Sequence, residues 1–148
     1  MTNLTPKSID MTYNDIASVS GKGGLFRVIK PTRTGMILES LDDRKQKLVA
    51  GLNQKVSALS EISIFTNTND GSVSLASVLK SIHDEFGKDT GLDSRSDADE
   101  LMAFLKHVLP DFDETRVYPS DVKKLVSWYN ILVKHVPELL KTDGPEEK

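Results

Sequence analysis

The sequence changes its hydrophobic period at Asn67-Thr68-Asn69-Asp70-Gly71-Ser72, an uninterrupted run of turn-forming residues. Before this run, apolar residues come in short, β-branched stretches separated by turn residues, which is typical of a small antiparallel sheet. After the run, apolar residues recur at helical spacing. The sequence therefore predicts an α+β protein with a small SH3-like antiparallel β-barrel at residues 13–67, a linker at 68–74 and a C-terminal three-helix unit at 75–141.

Five short strands make up the predicted barrel. They are expected at residues 25–30, 36–41, 46–50, 55–59 and 62–66. Pro31 and Gly35 bound the first turn, because proline removes a ladder donor and glycine permits a positive φ. Asp42-Asp43 has the composition of a two-residue hairpin turn. Ahead of the strands, residues 14–19 predict one short helical turn, followed by a tight turn at Ser20-Gly21-Lys22-Gly23-Gly24.

Three helices are predicted after the turn run. The first is expected at about residues 75–86 with Ser74 as N-cap, and the second begins near Asp97 and ends before Pro110. The third is expected from about residue 119 to residue 136. Its apolar surface exceeds one stripe, because Trp128 lies at the edge of the apolar face and Ile131 lies outside it. Either this helix docks against the barrel, or Trp128 and Ile131 form a protein-binding patch.

Composition excludes several classes of protein. The chain has 148 residues, of which 38% are hydrophobic, enough for one or two small domains with a core that needs no cross-links. It has no cysteine, which excludes disulfides, zinc fingers and thiolate nucleophiles. No apolar run approaches the roughly 20 residues of a membrane-spanning helix, and the first residues lack the apolar region of a signal peptide. The expected location is the cytoplasm. Flexible tails are predicted at residues 1–12 and 142–148, with Met11 as an alternative start.

The charge is distributed unevenly along the chain. Residues 22–55 carry a net charge of +5, and because the whole chain carries −3, the remainder carries −8. Such asymmetry marks either a nucleic-acid partner for the basic segment or an attraction between the two halves. The predicted RNA or single-stranded DNA surface of the barrel consists of Lys22, Arg27, Lys30, Arg33, Arg44, Lys45, Lys47 and Lys55. The scarcity of aromatic residues in the barrel argues against base stacking.

Several motif-like segments lack the residues that their chemistry needs. Ser20-Gly21-Lys22-Gly23-Gly24 has neither the spacing of a phosphate loop nor a helix after it. The acidic segment from Asp111 to Arg116 lacks the glycine and the bidentate glutamate of a calcium loop. His83, His107 and His135 lie on three separate predicted helices, and no metal site is expected from them. No catalytic residue and no cofactor is predicted.

The chain resembles an uncharacterised bacterial family, a domain of unknown function. The resemblance is carried by residues 16–26 (IASVSGKGGLF), 35–41 (GMILESL), 55–66 (KVSALSEISIFT) and 116–132 (RVYPSDVKKLVSWYNIL). It implies a small β-domain followed by a helical C-terminal domain, and it brings no activity. The chain departs from the family in its polar start before Met11 and in Gly23, where proline is expected.

We therefore expect a non-enzymatic binding or interaction module with a protein partner, in which Trp128 and Ile131 lie at the interface. RNA or single-stranded DNA binding by the barrel is the alternative. An enzyme with a dispersed active site is a third hypothesis, which a deep pocket with convergent polar groups would support. No membrane partner is expected, and the sequence does not predict an oligomeric state.

Overall fold

The computed structural model describes residues 12–93 and 95–141. The chain forms a five-stranded antiparallel sheet, a separate β-hairpin and three helices, which confirms the predicted α+β class. The strands are β1 (Ile16–Val19), β2 (Phe26–Thr32), β3 (Gly35–Ser40), β4 (Lys47–Gly51), β5 (Val56–Ala58), β6 (Ser63–Phe65) and β7 (Ser72–Ser74). The helices are α1 (Leu75–Phe86), α2 (Ala98–Val108) and α3 (Pro119–His135), and 3₁₀ turns occur at Tyr13–Asp15, Leu59–Glu61 and Pro137–Lys141.

The main sheet has the strand order β4-β3-β2-β1-β5. The strand β1 is an interior strand, since Ala17 lies opposite Phe26 of β2 on one side and Ala58 of β5 on the other. The strands β4 and β5 form the two edges, and among the described residues they do not pair with each other. The sheet is therefore open, and the predicted closure into an SH3-like barrel is not confirmed.

The prediction of a helical turn at residues 14–19 is wrong. A 3₁₀ turn at Tyr13–Asp15 leads directly into β1, and Ile16, Ala17 and Val19 of this strand are all buried. Ile16 faces the helices, whereas Val19 faces the opposite side of the sheet. A central strand buried on both faces has no alternation of polar and apolar residues, so its period gives no strand signal.

The fifth predicted strand, at residues 62–66, belongs to another sheet. Within the described chain β6 pairs with β7 alone, and the run of turn formers up to Gly71 lies in the hairpin loop between them. The Thr66 amide donates to the carbonyl oxygen of Gly71 at 3.0 Å, and the Gly71 amide donates to the carbonyl oxygen of Thr68 at 3.0 Å. The other four predicted strands correspond to β2, β3, β4 and β5.

The three predicted helices are confirmed, together with two of their caps. The Ser74 hydroxyl accepts a hydrogen bond from the Ser77 amide at 3.2 Å at the start of α1. The α2 helix begins with a capping box, in which Asp97 and Glu100 each accept a hydrogen bond from the other's amide. These caps satisfy amide groups that have no partner within the helix.

Two apolar clusters hold the fold together. The larger joins the buried faces of the three helices to Tyr13, Ile16, Leu25 and Leu59, so the helices pack on one face of the sheet region. The smaller lies on the opposite face of the sheet and consists of Val19, Phe26, Leu38 and Ala50. The predicted tails at residues 1–12 and 142–148 and the alternative start at Met11 lie outside the described residues, apart from Thr12.

Candidate functional site

The turn between β1 and β2 is held against the start of β5. Gly21 and Gly24 both have a φ of 81°, a conformation that side-chain-bearing residues rarely adopt. The Ser20 amide donates to the carbonyl oxygen of Lys55 at 2.9 Å, and the Lys55 amide donates to the Ser20 hydroxyl oxygen at 3.1 Å. These bonds place Lys22, at the tip of the turn, on the same side of the molecule as Lys55. The turn leads into a strand, as expected, and not into a helix.

The first half of α3 forms the opposite wall of a groove. Pro119 occupies the first helical turn, and the Asp121 carboxylate accepts a hydrogen bond from the Tyr118 amide at 2.9 Å. Lys123 and Lys124 follow, and because side chains four positions apart share a helix face, Ser127 and Trp128 lie one turn further along the same wall. We call this concavity the lysine groove; it has a volume of about 510 Å³. Its cationic and aromatic lining consists of Lys22, Lys55, Lys123, Lys124 and Trp128.

Among the described residues, the four lysines of the groove have no acidic partner. All four side chains are exposed, and in the part of the chain that the structure describes none of them forms an ion pair. The described residues that line the groove include serines and glycines but no Asp or Glu. Like charges that are not neutralised locally produce a positive potential in a concave site, where field lines are focused. The groove is therefore suited to an anionic ligand.

A smaller, mostly apolar pocket lies on the other side of Trp128. We call it the apolar pocket; it has a volume of about 240 Å³. Trp128 and Lys124 line both the apolar pocket and the lysine groove, so the two concavities share a wall. The other apolar side chains that line it are Ile62, Ile64, Phe65, Leu75, Leu105, Val117, Val122 and Leu125.

The mouth of the apolar pocket carries an aromatic and a cationic side chain in contact. The Arg116 guanidinium lies 4.4 Å from the ring centre of Phe65, which is 45% exposed. Asp113 holds Arg116 there, with its carboxylate accepting from Arg116 Nε at 3.1 Å. Hydrogen bonds from the hydroxyl and amide of Thr115, followed by that from Arg116, hold the pKa of Asp113 below its usual value. The carboxylate therefore stays charged at neutral pH and keeps Arg116 in place.

The eight basic residues predicted to bind nucleic acid do not converge on one surface. Lys22 and Lys55 line the lysine groove. Arg27 and Lys47 lie on either side of Glu39 on the sheet, each 3.8 Å from its carboxylate. The remaining four lie in or beside loops, with Lys30 and Arg33 at the β2–β3 hairpin and Arg44 and Lys45 between β3 and β4. Of these, Lys45 lines a crevice that Arg27 and Glu39 also line.

The loop between β3 and β4 is organised by an acidic residue. The Asp42 carboxylate accepts hydrogen bonds from the Ser40 hydroxyl at 2.9 Å and from the Arg44 and Lys45 amides at 2.9 and 3.0 Å. The Ser40 bond is the largest cause that lowers the pKa of Asp42 below its usual value. Asp42 therefore holds the backbone at Arg44 and Lys45, and its charge also interacts with that of Arg44.

The predicted interface residues Trp128 and Ile131 lie at two different crevices. Both are half-buried and pack against the larger apolar cluster, so α3 uses part of each side chain for docking. Trp128 separates the lysine groove from the apolar pocket, whereas Ile131 lines a crevice between α3 and the ends of β2 and β3. Lys123 and Lys124 were not predicted as site residues, because the sequence signal for a cationic patch there consists only of two neighbouring lysines.

The three histidines lie on the three helices, His83 on α1, His107 on α2 and His135 on α3. Within residues 12–93 and 95–141, no group of three His, Asp or Glu side chains is placed to hold a metal ion. His107 Nε2 lies 2.9 Å from a carboxylate oxygen of Glu85, an exposed pair between α1 and α2. In the same described ranges, no helix combines the length and apolar character that a bilayer crossing requires.

Comparison with known proteins places the chain among proteins without an assigned activity. Two family models match it, Domain of unknown function (DUF5606) at residues 14–59 and Domain of unknown function (DUF6852) at residues 62–132. A protein from Bacteroides vulgatus, solved by solution NMR, is 35% identical, with 82% of this chain and 85% of that chain covered and a TM-score of 0.64. No curated protein matches the chain.

Proposed function

Because the chain belongs to the uncharacterised family defined by these two domains of unknown function, we propose a function from the site alone: a non-enzymatic binding module for a protein partner. The resemblance found in the sequence is thus confirmed at the level of the family. The observation that carries the proposal is the shared wall at Trp128, where an apolar pocket meets a cationic groove to which the described residues contribute no Asp or Glu. Aromatic residues and arginine, as at Trp128, Phe65 and Arg116, are enriched at protein interfaces.

A pull-down with two charge-matched double variants tests this function. The groove variant is Lys123→Glu with Lys124→Glu, and the hairpin control is Lys30→Glu with Arg33→Glu; all four residues are exposed. Proteins captured from the source cells by the wild type and the hairpin control should be lost from the groove variant. Capture of the same proteins by all three would contradict the proposal, provided that circular dichroism shows all three to be folded. Ile131→Asp tests in the same way whether the crevice beside β2 and β3 takes part.

RNA or single-stranded DNA binding is the second candidate. The four lysines of the groove, which form no ion pair with a described residue, favour it, since phosphate neutralisation by lysine supplies most of the affinity of such proteins. The spread of the other basic residues over the sheet and its loops makes it the weaker candidate. Affinity for oligo(U) or oligo(dT) should fall steeply with salt and with charge reversal at Arg27, Arg33, Arg44 and Lys47. The absence of measurable affinity at low salt would exclude it.

We also propose that the sheet is related to an SH3-like barrel and that the protein is located in the cytoplasm. Among the described residues, the smaller apolar cluster contains no helix residue, yet its four members are at most 6% exposed, as expected of a sheet that curls over its own side chains. Such curling supports an open relative of a small barrel.

A cytoplasmic location would be tested by fractionation of cells that express the tagged chain.

A further inference from the structure

The lysine groove and the apolar pocket lie side by side on one surface, because Lys124 and Trp128 line both. We propose that this surface binds an acidic peptide segment of a partner protein, with one bulky apolar side chain of the peptide in the apolar pocket and its carboxylates over the lysine groove. This inference rests on the proposed function and names the class of partner that the site recognises.

The volume of the apolar pocket favours a single side chain as its occupant. At about 240 Å³ it lies below the roughly 300–1,000 Å³ of sites that hold drug-sized ligands or cofactors. Large aromatic and aliphatic anchors inserted into such pockets contribute most of the energy of peptide and protein interfaces. The pocket floor is formed by buried Leu75, Leu105 and Val122, which provide an apolar surface that needs no rearrangement to receive an anchor.

Charge complementarity determines the rest of the peptide. Four exposed lysines surround a groove to which the described residues contribute no carboxylate, so acidic side chains would neutralise charges that have no partner in the described chain. Lysine presents a compact charge on a flexible stem, which adapts to carboxylates at varied positions along a peptide. The hydroxyl groups of Ser57 and Ser127 also line the groove and can hydrogen bond to an extended peptide backbone.

The same geometry disfavours a nucleic acid. A base inserted into the apolar pocket would lose water from its polar edge, and a buried polar group without a partner costs about 1–3 kcal/mol. The Asp121 carboxylate also lines the apolar pocket and would repel a phosphate there. An apolar side chain encounters neither penalty.

Selection from a library of short peptides displayed on phage tests the inference with the full chain. The expected result is enrichment of peptides that contain several Asp or Glu residues and one Leu, Phe or Trp. The affinity of an enriched peptide that lacks tryptophan is then measured by fluorescence, since Trp128 is the single tryptophan of the protein and lies at the site. The groove variant should weaken binding by about 10-fold or more, and the hairpin control should leave it within about 2-fold.

A second variant tests the apolar pocket without removing any core atom. Ser63 is an exposed residue of β6 that lines the pocket, and Ser63→Trp should fill its mouth. Strand positions accept aromatic residues well, so the fold should persist. Binding of the enriched peptide, measured by the anisotropy of a dye on the peptide, should weaken by about 10-fold. Lys30→Trp, at an exposed position of β2, is the matched control and should leave the affinity for the peptide unchanged.

The outcomes distinguish the inference from the proposed function. Failure to enrich any acidic peptide, or binding that survives both the groove variant and Ser63→Trp, overturns the inference. If the pull-down still shows partners that depend on Lys123 and Lys124, the proposed function stands with another class of ligand. If oligo(U) binds the chain more tightly than every selected peptide does, and the groove variant no longer binds oligo(U), the inference is overturned in favour of nucleic acid.

Discussion

The Tyr129 hydroxyl donates a hydrogen bond to the carbonyl oxygen of Gly87, which ties the middle of α3 to the end of α1. The Tyr129 side chain is fully buried in the larger apolar cluster, so this bond satisfies a polar group that water does not reach. It also fixes the helix that carries the shared wall at Trp128. The stability of the helical packing and the shape of the candidate site therefore depend on the same contact.

Replacing Tyr129 by phenylalanine should lower the free energy of unfolding by about 1–2 kcal/mol. The variant keeps the ring in the core but leaves the Gly87 carbonyl oxygen without this hydrogen bond. Chemical denaturation measures the change. Tyr118→Phe is the control, since Tyr118 is 59% exposed, and it should be neutral. Equal stability of the two variants would show that the bond to Gly87 contributes nothing.

Stability should decrease at alkaline pH in a way that depends on Tyr129. Burial, followed by the nearby charge of Asp84, raises the pKa of Tyr129 from 10.0 to about 12. Because the unfolded chain then loses this proton first, the contribution of Tyr129 is complete below pH 10 and is lost as the pH rises toward 12. The wild type should lose more stability over this interval than Tyr129→Phe does. Parallel curves for the two proteins would contradict the raised pKa.

Gly35→Ala should destabilise the sheet by about 3 kcal/mol, through steric overlap and backbone strain. A Cβ atom at Gly35 would lie 1.8 Å from the carbonyl oxygen of Ala50, and its φ of 156° is unfavourable for other residues. Gly23→Ala provides the control, because no atom lies within 4 Å of its added Cβ and its φ is ordinary. Thermal unfolding should show a clear loss for Gly35→Ala alone, and similar midpoints would refute the close approach of β3 to β4.

The groove variant, Lys123→Glu with Lys124→Glu, should unfold within about 0.5 kcal/mol of the wild type. Both side chains are exposed and neither forms an ion pair within the described chain, so no stabilising contact is removed. Denaturation at low and at high salt provides the measurement. A loss of several kcal/mol would mean that these lysines serve the fold, and the binding experiments would then need Lys22→Glu with Lys55→Glu instead.

Elements with a strong local signal could be predicted from the sequence. The three helices follow from apolar residues at helical spacing and from the capping residues Ser74 and Asp97, and four strands follow from short apolar runs between turn formers. The strand β1 could not be predicted in this way, since Ile16 and Val19 face opposite sides of a central strand and leave no periodic signal. The pairing of β6 with β7 was not predicted either, because residues 68–74, which include β7, have the composition of a linker.

The sequence by itself determined the α+β class, the order of the main elements, the lack of cysteine chemistry and the concentration of positive charge in residues 22–55. Tertiary structure alone decided where that charge acts. Arg27 and Lys47 flank Glu39, whereas Lys22 and Lys55 meet Lys123 and Lys124 from a distant part of the chain beside Trp128. The reason is physical: local spacing determines helices and strands, but the grouping of charges into a site depends on how those elements pack.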